Sequence, residues 1–407
     1  MKPIAVIVVL LGSILGMSVG RATAQAPVAQ PIPPAYVQLI EAGKLAQRSE
    51  ALTKASNRGA TLTEKRISLA DLDVINALRT FREWLNVPNR TLDVGSFDPI
   101  VQKGLVPLHS LSRALTVEQY VLLADGRISE AIQNMRAGLR LSCALKPNSM
   151  VVWAMANSLD IGSISPIARH LDQLSRSDCD RLFALAQEVL AYPDPTSAML
   201  DCERAAMRKN AETYWRELLT IPEAVRNTDQ YPPLTEAEKK MATEAAALSS
   251  VDFNALWSTV EARVDKVFAH EKANLAKPLW EQEEKPVLPP GENASLADRF
   301  FWEREDVWNQ LFEGNRNSYG RQLTKTRMLG CHALIHAYLW EHDRLPATLA
   351  ELKAGDLAID PFNGKELMYT LVGVDKRSYT LLSIGPPVRD DNGNIKPGER
   401  VPFAVMK

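Results

Sequence analysis

The run Arg321-Gln322-Leu323-Thr324-Lys325-Thr326-Arg327-Met328-Leu329-Gly330-Cys331-His332-Ala333-Leu334-Ile335-His336-Ala337-Tyr338-Leu339-Trp340-Glu341-His342 decides the fold of the last part of this chain. Leu323, Met328, Leu329, Leu334, Ile335, Tyr338 and Leu339 give one long helix with an apolar stripe. Arg344-Leu345-Pro346 ends it, and Pro346, with its fixed φ, starts a short helix over Ala347–Lys353. Asp360-Pro361-Phe362-Asn363-Gly364 reverses the chain, because Pro presets φ and Asn-Gly tolerates positive φ. Leu367–Val372 and Tyr379–Ile384, rich in β-branched and aromatic residues, then read as a hairpin. Two strands do not hold together alone in water, so their apolar face is expected against the long helix.

Taken in order, the long helix, Leu345–Leu352, Asp360–Tyr369, Tyr379–Gly385 and Asp390–Asn394 resemble the globular head of type II secretion major pseudopilins, over about residues 321–398. The resemblance implies a small α+β head and calcium in the loop after the last strand, on Asp390, Asp391, Asn392 and Asn394 with backbone carbonyls, Gly393 permitting the bend. Calcium takes roughly six to eight oxygen ligands; an ordinary Asp/Asn/Gly turn is the competing reading. Pilin-like subunits begin with a prepilin leader that runs directly into the head. Here the leader is of secretory type and about 300 residues precede the head, so a module reused on an exported protein is expected rather than a pseudopilus subunit.

The N-terminus carries Lys2, the apolar run Ile4–Leu15, and Ala22-Thr23-Ala24. That layout predicts a signal peptide over 1–24 with cleavage after Ala24, and a Pro-rich arm over 25–34. If uncleaved, the apolar segment is a membrane anchor. Export to the periplasm or beyond follows. The net charge of −2, from 47 basic and 49 acidic residues, gives no field of one sign to draw in nucleic acid.

Residues 35–278 read as an α-helical domain, followed by a Pro- and Glu-rich linker over 279–295 and by the unit 296–407. The expected fold is therefore mainly α: a multi-helix bundle, then the small α+β head. Expected helices include Val37–Lys54, one carrying Leu69, Leu72, Ile75, Leu78 and Leu85 after Ser68 as N-cap, then Leu111–Ala124, Ile128–Leu145, Met150–Leu171 and Asp178–Leu190. Val117–Leu145, with its Asp125-Gly126 turn and small Ala131, Ala137 and Gly138, resembles one tetratricopeptide-type hairpin. Flanking sequence shows no 34-residue recurrence, so an irregular bundle is expected over a solenoid. Phe300, Phe301, Trp302 and Trp308 form an aromatic helix expected to dock the C-terminal unit on the body.

Candidate chemistry is sparse. His332 and His336, at i and i+4, share a helix side where one metal could sit, but Ala333 stands where H-E-x-x-H supplies its base; the resemblance implies instead a scaffold helix for the sheet, with the histidines on its polar flank. Cys143, Cys179, Cys202 and Cys331 contain no C-x-x-C pair; either Cys143 bridges Cys202 or the thiols are buried. Asp201 with Glu203, and Asp71 with Asp73, are adjacent carboxylates without a visible cleft. With no catalytic set, the expected function is a non-enzymatic scaffold with a protein partner in the envelope. The alternative is an envelope enzyme, a metal-dependent or carboxylate-based hydrolase.

Overall fold

The computed structural model describes residues 34–57, 59–87, 99–147, 150–205, 236–283, 295–302, 305–372, 378–386, 388–389, 395–396 and 401–402. The expected signal peptide, most of the arm, and all four expected calcium ligands lie outside the described residues. The fold is mainly α. The body begins with α1 (Pro34–Arg48), α2 (Glu50–Ala55), α3 (Leu62–Leu69), α4 (Leu72–Trp84), α5 (Pro99–Ala124), α6 (Ile128–Leu145), α7 (Met150–Ile167) and α8 (Arg176–Leu190). After helical turns over 196–205 come α9 (Glu236–Ala246), α10 (Ser250–Leu275), α11 (Leu296–Trp302) and α12 (Glu305–His342). The strands are β1 (Met368–Val372), β2 (Ser378–Ser383), β3 (Val388–Arg389), β4 (Ile395–Lys396) and β5 (Val401–Pro402).

Local chemistry explains most boundaries. The helix expected over Val37–Lys54 breaks at Ser49, whose Oγ accepts from the Leu52 amide and donates to Asp71 Oδ2 at 2.7 Å. A second correction concerns α3 and α4. Ser68 lies in the last turns of α3, and Asp71 is the N-cap of α4, accepting from the Asp73 amide. The buried face of α4 is Val74, Ala77, Leu78, Phe81 and Trp84, whereas Leu72 is 70% and Ile75 45% exposed. Phe81 and Trp84 bring more apolar area than the aliphatic stripe, and they set the rotation of the helix.

The hairpin of α5 and α6 turns at Asp125-Gly126, where Gly126 has φ +72°. The close approach permitted by Gly138, however, is to α7: a Cβ there would meet Ser163 Oγ at 2.2 Å. α7 is apolar around most of its circumference and packs inside the body, with Trp153, Ala156, Leu159 and Ile164 buried. Phe300 of α11 is buried with Met241, Ala245 and Trp257 of α9 and α10, so the visible aromatic docking is onto that pair; the side chains of Phe301, Trp302 and Trp308 lie outside the described residues.

α12 joins the two parts. Leu329, Ala333 and Ala337 enter the core with Leu182, Leu185 and Val189 of α8, while Met328, Cys331 and Ile335 meet Leu367, Tyr379 and Leu381. β1 pairs antiparallel with β2 from Met368↔Leu382 to Val372↔Ser378, and β5 adds to the far edge of β2. β3 pairs with β4 as a separate ribbon. The segment expected as a short helix after Pro346 is two 3-10 turns, Leu349–Leu352 and Gly355–Ala358, because Lys353 takes a left-handed φ of 50° and stops any longer helix. The stretch 279–283 is fastened: Asn274 Nδ2 donates to the Glu283 carbonyl and the Glu283 amide to Asn274 Oδ1, both at 2.8 Å.

Two helical glycines make opposite predictions. A Cβ on Gly43 would lie 2.4 Å from the Pro107 carbonyl group of α5, while one on Gly314 meets nothing within 4 Å. Gly43→Ala should destabilise by about 1–3 kcal/mol despite its better helix propensity, and Gly314→Ala should stabilise by about 0.5–1 kcal/mol. Urea denaturation followed by circular dichroism checks both signs.

Candidate functional site

The histidine pair does not line a polar flank. His332 is fully buried and His336 is 6% exposed, both under the sheet. His332 Nδ1 lies 2.7 Å from the Tyr379 hydroxyl, and the His336 ring centroid is 6.1 Å from that of Tyr379. Burial, with the neighbouring His336 second, pushes His332 down to about 3. Burial also lowers His336, opposed by Asp172. Among the described residues no group of three or more His, Cys, Asp or Glu is arranged to hold a metal.

The cysteines and carboxylates are likewise placed for structure. Of the two alternatives for the cysteines, the Cys143–Cys202 bridge is not formed: the Cys202 thiol donates to the Pro147 carbonyl at 3.7 Å. Burial pushes the thiols of Cys143 and Cys331 up to about 12 and that of Cys179 to about 11, far from thiolate chemistry at neutral pH. Asp71 is spent on capping, Asp201 pairs with Lys272 at 2.6 Å, and Glu203 is buried.

Two arrangements were not legible beforehand. The first is a buried ion pair, Lys146 Nζ to Asp160 Oδ2 at 2.6 Å, with both side chains under 5% exposed. Burial raises the Asp160 carboxyl, and the Lys146 ammonium opposes this. Asn157 Nδ2 donates to Ser318 Oγ one turn away, so a polar seam runs between α6, α7 and α12. A cavity of about 50 Å³ adjoins it, lined by Cys143, Lys146, Tyr319, Gln322 and Thr326 among others. Asp160 is the single charged residue of a helix that is otherwise uncharged, and that was the available signal.

The second is a groove of about 600 Å³ on the body, between α4, α5 and α6. Its floor is apolar, with Phe81, Leu115, Val121 and Leu122. Across it Glu118 accepts from Arg82 at 2.5 Å and from Asn134 Nδ2 at 2.6 Å, tying three helices together, and Arg127 pairs with Glu130 at the rim. Such a concavity suits a ligand or peptide side chains, whose apolar groups the floor would shield from water.

No family model, characterised protein or solved structure matches the chain. Among the described residues, no helix is long and apolar enough to cross a membrane.

Two predictions follow from the buried groups. Because His332 titrates lower in the folded than in the unfolded chain, the unfolded state binds the extra proton below about pH 6.5. Stability is complete above that pH and falls toward pH 3, by about 1.4 kcal/mol per pH unit from this residue. His332→Gln should flatten the slope of unfolding free energy between pH 6 and 4 by about one proton. For the ion pair, Asp160→Ala should cost about 3–5 kcal/mol, and Lys146→Met with Asp160→Leu should recover most of it. Thermal and urea unfolding of these two variants measure this.

Proposed function

We propose that the protein is an exported, non-enzymatic scaffold that binds a protein partner in the bacterial envelope through its helical body, with a pseudopilin-like head from about residue 321 onward. The groove between α4, α5 and α6 is the observation that carries this reading. It is open to solvent and apolar at the floor, and its charged groups are neutralised by one another: Arg82 on Glu118 and Arg127 on Glu130. Charges so committed orient and fence a partner better than they transfer protons. Histidines buried beneath a sheet and thiols held protonated add to the same reading. For the head, support comes from α12 against a small antiparallel sheet and from the Asp360 turn, where Asp360 carboxylate oxygens accept from Phe362, Ser383 and Ile384. The secretory layout of residues 1–24 supports export.

Photo-crosslinking tests the scaffold reading. A benzoyl-phenylalanine replaces Gln133, an exposed groove residue, or Val251, which is 74% exposed elsewhere on the body. Incubated with envelope extract and irradiated, the Gln133 protein should yield a discrete heavier adduct absent from the Val251 control. Matching patterns at the two sites, or no adduct at Gln133, would overturn the proposal.

A further inference from the structure

The small sheet has two edges, and they are built differently. Its strand order is β1-β2-β5, so β5 forms one edge and β1 the other. β5 is two residues long, and one of them is Pro402, which stands opposite Leu382 and has no N–H to offer a further strand. β1 runs for five residues in unbroken register with β2, and Met368-Tyr369-Thr370-Leu371-Val372 holds no proline, glycine or charge. Just upstream the chain is already paired, since the Leu367 amide donates to the Ala358 carbonyl at 2.7 Å and Glu366 bridges Ile359. From Met368 to Val372, no described residue pairs with β1 on the side away from β2. An edge strand leaves the N–H and C=O of every second residue pointing outward, and proteins blunt such edges with a charge, a proline or a bulge. β5 is blunted in this way and β1 is not.

The side chains of β1 are their own complement. Met368, Thr370 and Val372 face solvent, with Met368 36% and Val372 44% exposed, while Tyr369 and Leu371 pack on the core beneath the sheet. Laid antiparallel against a second β1 and centred on Thr370, Met368 of each copy falls opposite Val372 of the other, Tyr369 opposite Leu371, and Thr370 opposite Thr370. This register uses all five residues and keeps the apolar faces of both strands on the same sides. Aliphatic, aromatic–aliphatic and Thr–Thr pairs across a ladder are favourable, and no like charges meet. Met368 and Val372 then shield one another from water.

From this we infer that two copies of the chain pair through β1, antiparallel about Thr370, into one continuous sheet in the order β5-β2-β1-β1-β2-β5 with a twofold axis at its centre. The interface is isologous, and it closes: both outer edges carry Pro402, so no third copy adds to the sheet. A strand of a different protein would satisfy the backbone equally, but β1 carries no charge to select one, whereas its residue order matches itself end for end. Five residues from each copy make a small interface, so the pairing is weak and concentration-dependent. It lies on the sheet rather than in the groove between α4, α5 and α6, and it stands independently of the scaffold reading.

Sedimentation velocity of the full chain, between about 5 and about 300 μM at low salt, covers the range in which so small an interface is half formed. The weight-average sedimentation coefficient is expected to rise with concentration toward that of a dimer and no further. Thr370→Lys sets two ammonium groups face to face at the twofold axis, and Thr370→Glu sets two carboxylates there, so each variant alone should lose association roughly tenfold or more. Mixed in equal amounts the two variants should regain the dimer, because opposite charges then meet, and added salt should weaken that mixed dimer. Thr370 is exposed, and circular dichroism checks that both variants keep the fold. Val251→Lys, at an exposed apolar position elsewhere, should associate as the unaltered chain does. A chain that stays monomeric throughout, growth beyond a dimer, association indifferent to both Thr370 substitutions, or a mixture that stays monomeric overturns the inference.

Discussion

Among the described residues, the 3-10 turns and the β1–β2 hairpin depend on one helix having two apolar faces. α12 gives Leu329, Ala333 and Ala337 to α8 and gives Met328, Cys331 and Ile335 to the 3-10 turns and β2. Two successive residues of a helix differ by about 100° in direction, so Met328 and Leu329 can serve different neighbours only if those neighbours flank the helix. Gly330 makes room between them, since a Cβ there would stand 3.2 Å from Ala186 of α8 and 3.1 Å from Leu357. Polar fastenings follow the same line: Arg176 pairs with Glu341 at 2.7 Å, and Trp340 Nε1 donates to the Leu174 carbonyl at 3.0 Å. The small sheet thus reaches the body through a helix that belongs to both cores.

How much of this the sequence carried depends on whether the determining contact was local. Ile128–Leu145 was legible to the residue, because Asp125-Gly126 before it and Lys146-Pro147 after it end helices by backbone chemistry alone. The hairpin over 368–383 was legible for the same reason, its alternation being confirmed by the register Met368↔Leu382. The rotation of α4 was not, since Leu72 and Ile75 look as apolar as Leu78 until Phe81 and Trp84 find their places against α1 and α5. Likewise the polar flank expected for His332 and His336 is not where they lie, since both are buried. Their neighbour Tyr379 is 47 residues away from His332 in sequence, and its hydroxyl is what makes burial of that imidazole tolerable.

The Lys146–Asp160 pair is legible only in hindsight, and its energetics explain why. Taking two charges from water costs more than most geometries return, so a buried pair is weak as a source of stability. It is strong as a constraint. With Asp160 inside, any packing of α7 that separates it from Lys146 leaves a naked charge in an apolar core, which penalises other rotations and shifts of α6 against α7. The seam continues to Asn157 and Ser318, so the position of α12 along α7 is held by polar matching where apolar surfaces alone would permit sliding.

The same physics separates the inner polar groups from the outer ones. Catalysis by acid, base or thiolate needs a group that can change charge at working pH while touching solvent-borne substrate. Here desolvation moves the thiols of Cys143, Cys179 and Cys331 up and the imidazoles of His332 and His336 down, so those groups stay neutral near pH 7. Around the groove the groups are charged and accessible, but Glu118 is clasped by Arg82 and Asn134 and Glu130 by Arg127. A fixed charge beside apolar surface rejects wrong partners at little cost to the fold, because an exposed pair contributes only about 0–1 kcal/mol to stability. Substitution of the exposed Arg127–Glu130 pair is therefore expected to cost the fold little, whereas Glu118, which links α4, α5 and α6, is part of what holds those helices together.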